Sequence, residues 1–226
     1  MFSEMMQTLW NQGIILRGIW ETVYMTLIST AISYIIGLPL GIILCITDKD
    51  GICPVLPVNK VAGVVVNIFR SIPFIILMVA ILPVAKIVVG TSMGNKAMIF
   101  ALIVSAAPYV ARMVESSVKE VDKGIIEAAQ AMGTPTFKII YKVLIPEAKP
   151  SLIIGSVISM VTILGYSAMA GTIAGGGLGK IAIIDGYQRF NNDVIWVCVV
   201  LTIVIVQIIQ EVGGRIASAT DKRINK

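Results

Sequence analysis

The stretch TVYMTLISTAISYIIGLPLGIILCIT, residues 22–47, contains no charged side chain in 26 consecutive positions. A helix needs about 20 largely apolar residues to cross the hydrocarbon core of a bilayer. The rest of the chain agrees with this stretch, because 57% of its 226 residues are hydrophobic and only 14% are charged. An ordinary globular domain carries about 25% charged residues. The sequence therefore predicts an all-α, polytopic membrane protein.

Four further apolar runs repeat this pattern. Uncharged runs of 30 and 17 residues precede Lys180 and Glu211, and two runs of 15 residues begin at Ser71 and Ala97. As helices, the shorter runs measure about 22 Å against a core of about 30 Å, so the basic side chains at their ends must reach the interfaces. We predict five transmembrane helices, near residues 20–47, 68–88, 96–116, 150–173 and 193–213.

The distribution of basic residues predicts the orientation of the chain. Five spans place the termini on opposite sides, and an outer N-terminus puts 13 of the 18 Lys and Arg residues in cytoplasmic segments. This is the arrangement that the positive-inside rule favours. The same asymmetry and contact with anionic membrane lipid account for the net charge of +5, so no nucleic-acid surface is predicted. We predict that residues 1–18 form an extracytoplasmic interfacial segment, that residues 19–212 form the membrane domain, and that residues 213–226 form a cytoplasmic tail.

The first 18 residues lack the basic start of a cleaved signal peptide. Met5, Met6, Leu9 and Trp10 can form one apolar side of a short interfacial helix, with Trp20 at headgroup depth. We expect this segment to lie on the membrane surface.

Several kinds of chemistry are excluded by the residues themselves. The chain has no His, and its three Cys residues show no ligand spacing, so a metal site or a His-based triad is not expected. The stretch GTIAGGGLGK, residues 171–180, fails the phosphate-loop pattern at Ala174 and Ile181. We interpret it as a bent re-entry after the fourth span, followed by an outer loop over 178–194. The chain is not predicted to be an enzyme.

Prolines and a pair of charges interrupt the spans. Pro39, Pro73 and Pro108 mark either packing kinks or places where a path can open, and the sequence leaves both interpretations open. Arg112 and Glu115, three residues apart, can form a clasp on one helix face. No relay of buried carboxylates is visible, which argues against an ion-driven carrier.

The cytoplasmic loop over residues 118–147 has the pattern of two short helices. Val121, Ile125, Ala128 and Met132 recur at helical spacing, and Gly133 ends this first helix. A second helix is predicted to open with Thr134 as its N-cap and Pro135 in its first turn, and to stop at Pro146. The apolar side of this second helix is formed by Phe137, Ile140, Tyr141 and Leu144. The pair is either a lid on the bundle or a knob that docks into a soluble partner.

The loop contains a spaced motif: Glu127-Ala128-Ala129, three residues, Gly133, nine residues, then VLIP ending at Pro146. This motif resembles the EAA loop of ABC importer permeases, EAA, x3, G, x9, I-x-L-P, with Val143 for the family's Ile and Ile145 for its Leu. The resemblance implies the type I ABC importer permease fold and a coupling helix that sits in a cleft of an ATP-hydrolysing subunit. Glu127, Ala128, Ala129, Gly133 and Pro146 are then the coupling residues. ATP and Mg belong to the partner, and this chain needs no cofactor.

Further stretches resemble one branch of that family, the methionine-uptake permeases. They are RSIPFIILMVAILP at 70–83, APYVARMVESSVKEVDKGIIEAAQAMG at 107–133 and SAMAGTIAGGGLGKIAIIDGYQRF at 167–190. The resemblance implies a permease for methionine in the bacterial inner membrane, as a homodimer with two ATP-binding subunits and an extracytoplasmic methionine-binding protein.

The fourth span offers a candidate translocation path. Its side chains are weakly polar and polarizable, which suits a thioether solute, although small residues also serve helix packing. The candidates are Ser156, Ser159, Met160, Thr162, Ser167 and Met169. The alternatives are a permease for another amino acid or small organic solute and, from a different class, a passive channel or membrane scaffold. Copurification of an ATPase separates the last from the others.

Overall fold

The structure is a computed structural model that describes residues 4–173 and 175–220, with side chains from residue 7 onward. Over these ranges all regular structure is helical, which confirms the all-α prediction. The helices are α1 (Glu4–Asn11), α2 (Ile14–Ile46), α3 (Leu56–Ser71), α4 (Phe74–Val89), α5 (Asn95–Lys119), α6 (Lys123–Ala131), α7 (Thr136–Ile139), α8 (Ile145–Gly171), α9 (Leu178–Lys180) and α10 (Asn192–Thr220), with π-helical segments at Ile140–Leu144 and Ile181–Tyr187.

Four helical stretches in the described part of the chain are long and apolar enough to cross a membrane. They are α2, α5, α10 and the continuous stretch Thr136–Gly171, which joins α7, the first π-helical segment and α8. A fifth candidate is the pair α3 and α4, which is bent at a break and is either one broken span or a re-entrant loop. The span predicted near 68–88 is therefore bent by 107° at residues 72–73, where the sequence pattern marked Pro73 as a kink or a place where a path can open. Pro73 has no N–H and disfavours helical geometry in the residue before it.

Helix α3 occupies residues that the sequence pattern assigned mostly to a cytoplasmic loop. Asn59 binds it to the C-terminal end of α2: its Nδ2 donates to the carbonyl of Leu44 at 2.7 Å and to Oγ1 of Thr47 at 3.2 Å. The last carbonyls of a helix lack partners within that helix, so this amide satisfies one of them. The contact is long-range, and the local pattern carries no sign of it.

The prediction that Pro146 ends a helix is also wrong, because the chain stays helical from Thr136 to Gly171. Pro146 lacks an N–H and its ring would crowd the carbonyl of Lys142 in a regular α-helix. The π-helical turn at Ile140–Leu144 lies directly before it. Such a turn is wider, so it accommodates the missing hydrogen bond without breaking the stretch.

The chain forms two compact units. The first takes residues 1–32, 72–106 and 160–210. Its main core joins small alanines of α5 to three buried methionines, Met25, Met78 and Met98. Phe74 and Tyr166 stack beside this core with ring centroids 4.5 Å apart. A second cluster packs Leu9 and Ile15 against Leu178, Ile181 and two residues of α10, Val194 and Cys198.

Part of this first unit differs from the sequence interpretation. Residues 178–187 are helical, where an irregular outer loop was predicted, and Leu178 and Ile181 are buried. Helix α10 continues to Thr220, past the predicted end of the last span at residue 213. Ala174, the side chains of Met5 and Met6, and residues 221–226 of the predicted tail lie outside the described residues.

The second unit takes residues 33–71, 107–159 and 211–226. Its main cluster packs Ile42 of α2 and Val110, Val114 and Val118 of α5 against the loop over residues 118–147. A smaller cluster joins Leu44 to Val66 of α3 and Ala111 of α5. Gly37 and Gly41 let α2 approach α5 closely, since a Cβ at Gly37 would lie 2.6 Å from Val110. The loop with the EAA motif therefore folds onto the C-terminal ends of these helices.

Candidate coupling site

Two short arms joined at Gly133 form the feature that we call the elbow, residues 122–146. The first arm, α6, begins at Asp122, whose Oδ1 accepts a hydrogen bond from the N–H of Gly124 at 2.7 Å. At its end the N–H of Gly133 donates to the carbonyl of Gln130 at 2.9 Å, and that of Thr134 donates to the carbonyl of Ala129 at 3.1 Å. This pair of bonds is a Schellman motif, which needs a left-handed residue after the helix. Gly133 supplies it with φ +70°.

The second arm begins with Pro135 rather than with Thr134. Pro135 has extended backbone angles, φ −66° and ψ 146°, and its carbonyl accepts from the N–H groups of Lys138 and Ile139. The prediction that Thr134 caps this helix is wrong, because its backbone N–H belongs to the turn that ends α6. The sequence pattern located the elbow correctly but shifted the helix start by one residue.

One face of the elbow packs against the protein's own core. Ala129 of α6, Ile139 of α7 and Leu144 of the π-helical turn are buried. They share a cluster with Val114 and Val118 of α5. Ala129 thus allows α6 to lie close to the rest of its own unit. This face makes the elbow a fixed part of the second unit.

Four large apolar side chains of the elbow are exposed. The side chains of Ile125, Met132, Phe137 and Tyr141 are 42%, 78%, 78% and 63% exposed, respectively. The large hydrophobic residues that periodicity assigned to the two helices therefore point mostly outward, and only Val121 and Leu144 are fully buried. A cluster of exposed large apolar groups marks an interaction surface on a protein. We call these four residues the apolar stripe.

The EAA motif is divided between the two faces. Glu127 and Ala128 are exposed on α6, whereas Ala129 is buried. Gly133 is exposed at the turn, and no heavy atom outside its neighbours lies within 4 Å of a Cβ built there. Pro146 is exposed in the first turn of α8. Four of the five predicted coupling residues therefore lie at the surface of the unit.

A charged cleft of about 370 Å³ adjoins the elbow. Asp48 and Lys119 line it together with Lys123 and Glu127 of α6. The Nζ of Lys119 donates to Oδ2 of Asp48 at 2.7 Å, and the N–H of Lys49 donates to its Oδ1 at 2.8 Å. The hydrogen bond from Lys119 and then that from Lys49 hold the pKa of Asp48 below its usual value.

The predicted path residues are all on α8 but differ in their surroundings. Ser159 and Ser167 are buried, Met169 is half exposed, and Ser156, Met160 and Thr162 are partly buried. The serine hydroxyls donate to carbonyls of their own helix, for example Ser159 to Gly155 at 2.8 Å and Ser167 to Leu164 at 2.7 Å. Their hydrogen bonds are thus satisfied locally. The assignment of a path to these residues stays a prediction.

Sequence reasoning missed several polar residues that tie the helices together. Asn59 and Asn67 hold α3, while Glu21, Thr22 and Asn95 hold the glycine-rich turn. Isolated polar side chains within apolar runs were the available signal. Among the described residues, no group of three or more Cys, Asp or Glu residues is placed to hold a metal ion.

Comparison with known proteins gives the class and the family of this chain. Residues 37–226 match the model of the binding-protein-dependent transport system inner membrane component. The chain belongs to this family.

Two relatives and one solved structure are similar to most of the chain. The chain is 47% identical over 213 residues to the probable D-methionine transport system permease protein MetI of Vibrio cholerae, covering 94% of this chain and 95% of the relative. It is 46% identical to the methionine import system permease protein MetP of Bacillus subtilis, covering 95% and 94%. A solved structure of the MetNI methionine ABC transporter, in an inward facing conformation, superposes with a TM-score of 0.93 at 42% identity, covering 98% of this chain and all of that one.

Proposed function

We propose that this chain is the membrane permease of an ATP-driven importer for methionine, and that the elbow couples it to a separate ATPase subunit. Two relatives, which are 46–47% identical to this chain over more than nine-tenths of their length, are named as methionine permeases. The similar solved structure is a methionine ABC transporter. These likenesses support the substrate, which the weakly polar residues of α8 do not single out.

The apolar stripe carries the coupling proposal. Its residues are exposed, although Ala129, Ile139 and Leu144 of the same two arms are buried. A lid over the protein's own bundle would bury its apolar face, so this arrangement favours a docking knob. An amphipathic helix of this kind fits an apolar groove of a soluble partner. Glu127 then offers a charge to the partner, and Gly133 sets the angle between the arms.

The other subunits of the importer are expected from this role. The chain provides no nucleotide site by its sequence, so ATP and Mg are bound by two partner subunits. A second copy of the chain completes the path on a two-fold axis, as closed dimers are the usual assembly. An extracytoplasmic methionine-binding protein delivers the solute to the outer side. The N-terminus lies outside and the C-terminus in the cytoplasm, in line with the positive-inside rule.

Reconstituted vesicles test the proposal. The chain is purified with its ATPase subunit, and ATP-driven uptake of labelled methionine is measured against excess of other amino acids and of short peptides. We expect uptake that unlabelled methionine abolishes and most other solutes leave intact. Equal competition by any amino acid would replace methionine with a broader substrate class. Failure to copurify a Walker-motif ATPase would leave the passive channel or scaffold as the better description.

A further inference from the structure

Glu115 lies at the centre of a small network of charges at the inner end of α5. The residue is only 8% exposed. Its Oε2 accepts a hydrogen bond from Nη1 of Arg112 at 2.6 Å, and its Oε1 accepts one from Nζ of Lys119 at 2.9 Å. The predicted clasp between Arg112 and Glu115 is thus present, but it is one half of a larger arrangement. Each carboxylate oxygen holds one cation.

Both cations also bind groups outside α5. The Nη2 of Arg112 donates to Oδ1 of Asn67 at 3.0 Å and to the carbonyl of Gly63 at 3.3 Å, both on α3. The Nζ of Lys119 donates to Oδ2 of Asp48 at 2.7 Å, just past the end of α2. One buried carboxylate therefore orients two side chains that fasten α5 to its two neighbours.

The network is continuous with the elbow. Lys119 is the last residue of α5, and Asp122 begins the cap of α6 three positions later. Val118 and Val121, on either side of this link, pack in one cluster with Ala129 of α6. Lys119 therefore lies next to the short link through which α5 is joined to the elbow.

Apolar packing alone is a weak way to transmit such a force. The contact between α3 and α5 in this unit uses small groups, with Val66 and Ala62 against Ala111. Burial of apolar surface is not directional, so helices joined only in this way can slide. Charge-assisted hydrogen bonds are short and have a defined geometry.

We infer that Glu115 is a positioning residue for coupling: by holding Arg112 on α3 and Lys119 on Asp48, it makes the inner ends of α2, α3 and α5 move together with the elbow. The inference rests on the proposed function, because the elbow must receive the force of an ATPase. It adds a role for residues outside the EAA motif. Substitution of Glu115 is then expected to impair the transmission of movement and to spare ATP hydrolysis.

The test uses the complete transporter in vesicles and measures methionine import and ATP hydrolysis on the same sample. For Glu115→Gln we expect import per ATP to fall by about fivefold or more, the lower end of coupling effects, with ATP hydrolysis changed by less than about twofold. Lys119→Gln should behave in the same way, while Lys119→Arg should retain coupling because it keeps the charged donor. Glu211→Gln, which breaks the exposed 2.7 Å pair with Arg215, is the matched control and should change nothing.

A second measurement does not depend on methionine. Spin labels at Val64 of α3 and Gln130 of α6, in a background with the three cysteines replaced by Ser, report how closely the two helices move together. We expect a narrow distance distribution in the parent and a broad one in Glu115→Gln. Should Glu115→Gln fail to assemble, Lys119→Gln decides both measurements, since Lys119 is partly exposed.

The outcomes separate the two proposals. Absence of ATP-driven methionine uptake by the parent transporter would overturn the proposed function, whatever the label distances show. Normal uptake by the parent, with unchanged import per ATP and a narrow distribution in both Glu115→Gln and Lys119→Gln, would overturn the role of Glu115. If import per ATP fell as much in Glu211→Gln, the role of Glu115 would also be overturned, because the loss of any carboxylate charge would then explain the lower import per ATP.

Discussion

The Oε2 atom of Glu21 accepts a hydrogen bond from the backbone N–H of Gly177 at 2.9 Å, although 156 positions separate the two residues in the chain. The neighbouring N–H groups are also bound: that of Gly176 donates to Oδ1 of Asn95 at 3.0 Å, and that of Leu178 donates to Oγ1 of Thr22 at 2.9 Å. Three successive amides at the start of the helical segment over 178–187 are thus satisfied by side chains. A carboxylate is favourable there because the first amides of a helix carry partial positive charge.

Gly177→Ala should destabilise this turn. Gly177 has φ +86°, and a Cβ there would lie 2.7 Å from Oγ1 of Thr22. We expect the free energy of unfolding to fall by about 2 kcal/mol, since strained backbone conformations cost about 1–3 kcal/mol each. The control is Gly165→Ala in α8, where a Cβ meets nothing within 4 Å. It should be neutral or slightly stabilising. Thermal unfolding in detergent measures both, and equal midpoints would contradict the role of the turn.

Gly133→Val should uncouple import from ATP hydrolysis. There is open space around Gly133, so the effect comes from its φ of +70° and not from a clash. A β-branched residue avoids the left-handed region, at a cost of about 1–2 kcal/mol, and would reset the angle between the two arms. Gly133→Asn tolerates that region and should retain more coupling. Import per ATP is the measurement, and wild-type coupling in Gly133→Val would show that the turn is dispensable.

Phe137→Ala should weaken binding of the ATPase subunit without unfolding the permease. Its side chain is 78% exposed, so little packing within the protein is lost. A buried aromatic anchor at an interface contributes 1–2 kcal/mol or more, so we expect about a tenfold rise in Kd. Phe190→Ala is the matched control, because Phe190 is 92% exposed but lies outside the elbow. Titration of the purified subunit measures both, and equal effects would argue against a specific surface.

Acid should remove the stabilising contribution of Asp48. The hydrogen bond from Lys119 lowers the pKa of Asp48 below its unfolded value of about 3.9, so its contribution is complete above that value and is lost as the pH falls through the lower folded pKa. The effect should be small, since the pair is partly exposed. Unfolding midpoints of the parent and Asp48→Asn should differ by a constant amount from pH 8 to 5 and converge below about pH 4. If the two midpoints were already equal at neutral pH, the charge of Asp48 would not be the source of the stabilisation.

Two parts of the molecule illustrate how far the sequence could lead. The length of uncharged runs predicted four helical stretches near their observed places, because membrane crossing depends on a local property of the chain. The turn at Gly133 was equally local, since a glycine after an amphipathic pattern is a direct signal for a helix end. Helix α3 was missed because its anchor, Asn59 on Leu44, joins two helices across a loop.

Burial in and beside the elbow shows more clearly what the sequence pattern could not predict. Periodicity grouped Val121 with Ile125 and Met132, yet Val121 is buried and Met132 is 78% exposed. Helix α6 begins only at Lys123, so Val121 lies outside its helical register. A periodic pattern identifies an apolar side but does not say what covers it.

The sequence by itself determined that the chain is a helical membrane protein with a motif-bearing loop between two spans, because hydrophobic length and glycine–proline punctuation act within a few residues. Only the tertiary structure decided that Ala129 faces inward, that Phe137 faces outward, and that Glu115 joins Arg112 and Lys119 to separate neighbours. These outcomes depend on which helices approach one another, and such contacts are set by packing between residues far apart in the chain.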